Sequence, residues 1–331
     1  MTENKIRNHM KSILITGGAG FLGSRICKRL LTTDEYDRII VFSRDWHKHH
    51  ALRQELNNDP RMRWFVGDIC DRERLMRAMD GVDEVIHAAC IKDLSVCQYN
   101  PFECLRVNCE GTRTVIEAAI DSGVKKVLFV SSDKAADSAV VYGNSKALGE
   151  GLTIAANAYS PNGTKLSCVR YGNVFASSSS AVPLFEKLRD EGKSIPITHP
   201  RMSRFWITPE GAVDFVLKAL DEMVGGEIFV PHLPSSLILD LAEAVAPNSI
   251  IEFVGIRAGE KMHELMVTET ESRRTKDLGW AMRIEPGFHP WDADLKYPGG
   301  SEIPEGVPYS SASANRLSIE QIRAMLPGGS R

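Results

Sequence analysis

A chain of 331 residues can bury a large core and suits one two-lobed enzyme or two small domains. Its formal net charge of -3 offers no electrostatic case for nucleic acid or an anionic membrane surface, and 25% charged with 43% hydrophobic residues is ordinary for a soluble globular protein. No apolar run approaches the ~20 residues that span a bilayer, and the polar start MTENKIRNHM lacks the apolar core of a secretory signal, so the expectation is a cytoplasmic protein.

Ser12 to Thr16 reads as a short apolar strand, followed by Gly17-Gly-Ala-Gly20-Phe-Leu-Gly23 and an amphipathic helix through Leu31. Glycines let the backbone turn tightly and approach a pyrophosphate, which then rests on the amides of the helix N-terminus. Strand, turn and helix in this order make a strong dinucleotide-binding signal. A second strand, Arg38 to Phe42, ends at Ser43-Arg44, where an acidic residue would hold a ribose 2′-hydroxyl and an arginine accommodates a 2′-phosphate. Ser43-Arg44 favours NADP; the competing reading has Asp45 reach the ribose.

Strands from Arg63 to Val66 and from Glu84 to His87 lead into Gly67-Asp68-Ile69 and Ala88-Ala89-Cys90, small residues and a carboxylate that suit a wall for adenine and its ribose. Pro101 to Asp121 has helical periodicity, with Gly123 as a stop. The strand–helix alternation through Tyr171 predicts an α/β fold with a doubly wound parallel Rossmann sheet. After Asn173 come a serine-rich loop (176–180), a helix from Val182 to Asp190, a helix launched by Thr208-Pro209-Glu210 and a returning strand from Glu227 to Val230. The expected division is a tail over 1–10, an NADP-binding domain over 11–176 with a return segment over 206–232, and a smaller C-terminal substrate-binding lobe occupying most of 177–331.

The seven cysteines show no Cys-x-x-Cys spacing and read as reduced core residues. The cluster His47, His49, His50 has no carboxylate or cysteine at ligand spacing, so it reads as the solvated face of a polar helix, and no metal is expected.

The richest stretch is Ser131 to Lys146, SSDKAADSAVVYGNSK. Tyr142 and Lys146 lie one helical turn apart on the same face. A tyrosine hydroxyl titrates near ~10, so its use as a base near neutrality needs a lowering of about 3 units, or about 4 kcal/mol. A lysine one turn away works in that direction. Ser131, Ser132, Asp133 and Lys134 follow the apolar run Val127 to Val130, and groups at a strand's carboxyl end point into the crevice where open α/β sheets bind ligands.

The N-terminal half resembles the extended short-chain dehydrogenases/reductases through TGGAGFLG, Gly67-Asp68, His87-Ala88-Ala89 and the Tyr-x-x-x-Lys pair. Over nearly its whole length the chain is similar to the soluble nucleotide-sugar 4,6-dehydratases, in particular the inverting branch that acts on UDP-N-acetylglucosamine. The strings that carry this likeness include Ser132-Asp133-Lys134, Arg170-Tyr171-Gly172-Asn173-Val174, RMSRFW over 201–206 and GIRAGEKMHE over 255–264. The resemblance implies that Tyr142 takes the proton of the sugar 4-hydroxyl while Lys146 lowers its pKa and holds the ribose. Lys134 then removes the C5 proton, provided that burial lowers its pKa, Asp133 protonates the departing 6-hydroxyl, and Ser132 binds O4. It places NADP against Gly17, Gly20, Phe21, Leu22, Gly23, Ser43, Arg44, Lys48, Asp68, Ile69, Ala88, Ala89, Lys92, Asn108, Tyr142, Lys146, Tyr171 and Asn173. The UDP-sugar falls to Lys92, Asn173, Val182, Thr198, Arg204, Arg257 and Glu260. It further implies at least a homodimer, with the helices near Pro101 and Tyr142 packed on a partner's. Departures at Asp93-Leu94-Ser95, over 135–140 and over 176–180 surround the sugar pocket. Inversion at C5 needs a proton donor on the face opposite Lys134, which the region around Lys92 and Asp93 would supply. A 4-epimerase would need Tyr142 and Lys146 but not the Asp133–Lys134 pair, and a non-catalytic NADP-binding sensor would need none of them.

Overall fold

The computed structural model describes residues 11–177, 180–257, 259–288, 291–292 and 295–326. The expected tail over 1–10 lies outside them, as do residues 178–179 of the serine-rich loop.

Six strands, β1 (Lys11–Thr16), β2 (Tyr36–Ser43), β3 (Met62–Val66), β4 (Glu84–His87), β5 (Lys126–Val130) and β6 (Lys165–Val169), pair in parallel in the order β3-β2-β1-β4-β5-β6. Ile228–Pro231 adds in parallel beyond β6. Their nearly continuous apolar sequences follow from burial on both faces. Ile13, Ile15 and Leu128 pack with Ile26 and Leu30 of the helix Phe21–Leu31 and Val216 of the helix Pro209–Glu222. Leu14, Val85 and Val127 pack on the other face with Leu75 of the helix Arg72–Met79 and Val115 of the helix Gly111–Asp121. This is the expected doubly wound Rossmann sheet. Its order reverses between β1 and β4, which opens the ligand crevice above Gly17 and Ala88.

The sequence reading is corrected in three places. Thr275–Asp277, Ala281–Ile284 and Ser301–Glu302 return from the C-terminal part as antiparallel strands beyond Ile228–Pro231, completing a ten-stranded sheet, so less of 177–331 forms the lobe than expected. The predicted helix from Pro101 to Asp121 is interrupted by a π-turn over Arg106–Glu110. Such a turn admits one extra residue and is common at functional sites. Within it Asn108 donates to Ile91 O at 3.0 Å and to Ser145 Oγ at 3.0 Å, and accepts from Ile91 N at 2.8 Å. Finally, His49 is buried, not solvated, with Nε2 2.6 Å from Ser43 Oγ and its pKa lowered by desolvation.

The lobe has its own core of Phe175, Val182, Phe185, Ile195, Trp206, Leu241 and Ile322. Its central strand, Ser203–Ile207, lies between Asn173–Val174 and Ser235–Leu237. Arg170, 2% exposed, fastens lobe to sheet: Nε and Nη2 fork onto Glu150 at 3.0 and 2.6 Å, Nη1 and Nη2 onto Glu271 at 3.0 Å each, and Nη1 also donates to Met266 O at 2.7 Å. Glu150 belongs to the helix Val141–Ala155, which carries Tyr142 and Lys146.

Candidate active site

Gly17 holds φ +67°, a conformation that favours glycine, and a Cβ at Gly23 would come within 2.5 Å of Gly18 Cα. Gly20 caps the helix Phe21–Leu31 without a side chain, leaving the first-turn amides of Phe21, Leu22 and Gly23 open to an anion. The backbone of Ala88 and Ala89 approaches Gly17 so closely that a Cβ there would meet it at 3.0 to 3.1 Å. Asp68 accepts from Cys70 N at 3.0 Å and pairs with Arg106 at 3.4 Å, and Ile69 is buried beside Gly111. These residues lie around one crevice, and their open amides and small side chains suit a dinucleotide. Asn108, spent on Ile91 and Ser145, supports that crevice from behind.

At the end of β2, Arg44 and Lys48 are exposed. Asp45 is the N-cap of the helix Trp46–Glu55: it accepts from Lys48 N at 3.1 Å and its other oxygen lies 3.4 Å from Lys48 Nζ. Its carboxylate is thus committed to the helix terminus, which speaks against the ribose reading.

β5 delivers Ser131 to Lys134 beside the helix bearing Tyr142. Ser132 Oγ donates to Asp133 Oδ1 at 2.8 Å, and Lys134 Nζ donates to the same oxygen at 3.0 Å and to Asn173 Oδ1 at 3.3 Å. Burial raises the Asp133 pKa; Lys134 opposes this and Glu264 adds to it. Burial also pushes the Lys134 amine down, but Asp133 and Glu264 outweigh it and raise the pKa, so the condition set for a neutral base is not met by burial alone. Tyr142 likewise departs from expectation: burial, with Cys90 and Asp133 nearby, holds its phenol well above its ordinary pKa. Lys146 is itself lowered by burial, donates to Val130 O at 2.6 Å and lies 4.0 Å from the centre of the Phe129 ring. Tyr171 is buried with its phenol also raised by burial, and its carbonyl accepts from Asp133 N at 3.0 Å.

A cavity of about 160 Å³ opens at Lys134, lined also by Asn173, Arg204, Glu260, Lys261 and Glu264. Arg204, 7% exposed, has Nη2 3.4 Å from Glu260 Oε1 and Nε 3.5 Å from Glu264 Oε1. Arg257 is exposed at the rim, its backbone amide 3.3 Å from Glu260 Oε2. Two expected substrate residues are placed less directly. Val182 is buried in the lobe core, and Thr198 donates to Met202 Sδ at 3.0 Å. Lys92 is exposed, and Asp93 caps the helix Leu94–Tyr99, its Oδ1 accepting from Ser95 Oγ at 2.6 Å and Val96 N at 2.9 Å; these contacts lower its pKa and favour the ionised carboxylate over the proton donor expected there. Glu264 and Lys261 had no assigned role in the sequence reading. Both lie in the string GIRAGEKMHE, but nothing local to that string shows that they face Lys134.

The family model described as "Polysaccharide biosynthesis protein" matches residues 13–286. The chain is 43% identical over 309 residues to a UDP-N-acetylglucosamine 4,6-dehydratase (inverting) of Campylobacter jejuni, covering 91% of this chain and 92% of that protein. It is 36% identical over 330 residues to a UDP-glucose 4-epimerase of Rickettsia akari, covering 96% and 95%. The solved structure of Pen from Bacillus thuringiensis superposes with a TM-score of 0.86 at 34% identity, covering 95% of this chain and 96% of that one. With its glycine cradle, its Tyr142–Lys146 pair and these relatives, the chain belongs to the polysaccharide biosynthesis protein family of extended short-chain dehydrogenases/reductases.

Proposed function

We propose that this chain is an NADP-dependent nucleotide-sugar 4,6-dehydratase that converts UDP-N-acetylglucosamine, with inversion at C5. The observation that carries the reading is the Asp133–Lys134 pair, an acid and an amine 3.0 Å apart near Tyr142, with Lys134 lining the cavity. A 4-epimerase, the name of the Rickettsia relative, moves no proton at C5 and loses no oxygen at C6, so it has no use for that pair. The cofactor, when bound, supplies a hydride acceptor that gives the hydride back at the end of the cycle. Tyr142 takes the O4 proton, helped by Lys146 and by Ser132 on O4. The resulting 4-ketone acidifies C5–H; Lys134 removes that proton and Asp133 protonates the departing 6-hydroxyl. Arg204, Arg257 and Glu260 suit the diphosphate and ribose, guanidinium forks matching phosphate and a carboxylate matching a diol. Incubation with UDP-N-acetylglucosamine should give a product lighter by one water, and in deuterated water it should carry deuterium at C5 with the proton couplings of an L-arabino ring. A product of unchanged mass would replace this reading by epimerisation; a D-xylo product from the earliest time would overturn inversion alone.

The preference for NADP rests on exposed Arg44 and on the commitment of Asp45 to its helix. Arg44→Ala should weaken NADP about 10-fold or more while leaving NAD within about 2-fold, because a charge-assisted contact to a phosphate contributes about 1.5–3 kcal/mol. Equal weakening of both would remove Arg44 from the 2′-phosphate. A homodimer is supported by exposed apolar residues on the helices expected to meet a partner, Phe102 at 85% and Leu148 at 48%. The domain limits expected from sequence serve this reading with the C-terminal antiparallel strands reassigned to the cofactor-side sheet.

A further inference from the structure

Resting on the dehydratase reading, we infer that Glu264 is a positioning residue that accepts the spare proton of Lys134 and so prepares it as the C5 base. Lys134 is a useful base only when neutral, yet it stands between two carboxylates, with Asp133 Oδ1 at 3.0 Å and Glu264 Oε1 at 3.4 Å. Asp133 is the wrong receiver for use as a store, because it must hold a proton for the leaving hydroxyl. Glu264 is the remaining carboxylate facing Lys134.

Its setting suits that task. The side chain is 5% exposed, and Oε2 is buried without a hydrogen-bond partner among the described residues, so a proton can sit there without breaking an existing contact. The backbone is fixed: Glu264 N donates to Ser311 Oγ at 2.9 Å, and Ser311 Oγ lies 2.7 Å from Ser203 Oγ. The charged groups that face the pair are Asp133, Arg204 and Lys261, with Asn173 the neutral partner of Lys134. Burial favours a neutral Glu264, but Lys134, Arg204 and Lys261 together keep it ionised and lower its pKa. Of these, Arg204 is the residue assigned to the substrate diphosphate. When phosphate oxygens take the Arg204 guanidinium, Glu264 loses part of its cationic support and its proton affinity rises, so substrate binding itself readies the base.

The step balances. A proton passes from the Lys134 ammonium to Glu264, leaving a neutral amine and a neutral acid. The amine then takes the C5 proton, the C–H electron pair becomes the C5=C6 π bond, the C6–O bond breaks, and the oxygen leaves as water with the proton of Asp133. The three side chains carry the same net charge before and after, so the elimination needs no proton from bulk solvent.

The test is the pH dependence of water loss in a single turnover of full-length protein with NADP and UDP-N-acetylglucosamine, followed by product mass, for the wild type, Glu264→Gln and Glu264→Asp. The wild type should give a nearly flat rate from pH 7 to about pH 9, as expected for a proton exchanged within the pair. In Glu264→Gln the proton must go to solvent, so the rate should rise about tenfold per pH unit below the Lys134 pKa. Glu264→Asp should restore the flat profile, although at a lower rate. A flat profile in Glu264→Gln, whether normal or reduced in height, overturns the inference, since a purely structural role would scale the profile without tilting it. Absence of water loss from the wild type would instead overturn the dehydratase reading on which the inference rests.

Discussion

Tyr142→Phe is expected to lower the first hydride transfer about 10²–10⁴-fold, the range for removing a positioned general base. The ring is buried with Cys97 and Cys104, and phenylalanine fills the same space, so the thermal midpoint should stay within a few degrees of the wild type. What is lost is the hydroxyl proposed to take the O4 proton. The effect should appear as absence of the reduced-nicotinamide absorbance on mixing with substrate. An unchanged rate of reduction would assign the base elsewhere, with Lys134, which lines the cavity, as the next candidate.

Asp133→Asn separates the two halves of the reaction. Asparagine keeps the shape of the side chain and can still meet Ser132 Oγ and Lys134 Nζ, so C4 oxidation should proceed near its normal rate. Loss of water should fall about 10²–10⁴-fold, because the leaving hydroxyl has no acid. Reduced cofactor should therefore accumulate instead of turning over. Water loss at the normal rate would show that the acid is not Asp133.

Much of the fold was legible because its signals are local. β1, the glycine turn and the helix Phe21–Leu31 follow one another within a single window, and the apolar run Glu84–His87 coincides with β4. The π-turn over Arg106–Glu110 was not legible, since one added residue barely alters a helical apolar pattern. Thr275–Asp277 and Ser301–Glu302 are too short to show an alternation and exist as strands only through their antiparallel neighbours. In the site, Ser132, Asp133, Lys134, Tyr142 and Lys146 could be grouped because they sit on one strand end and the next helix. Glu264 could not, as only the lobe's fold brings it to Lys134. The helix caps at Asp45 and Asp93 carried an available signal, an acid directly before a helix, which distinguishes a capping carboxylate from a site residue. The charge states were the least legible feature, because those of Lys134 and Tyr142 depend on buried neighbours contributed by several elements.

Internal oxidation, elimination and hydride return can be followed with UDP-N-acetylglucosamine bearing deuterium at C4. In ordinary water the product should have lost one water and should carry that deuterium in the C6 methyl group. Deuterium found at C4 of a sugar with unchanged mass apart from the label would overturn the dehydratase reading and make the chain an epimerase.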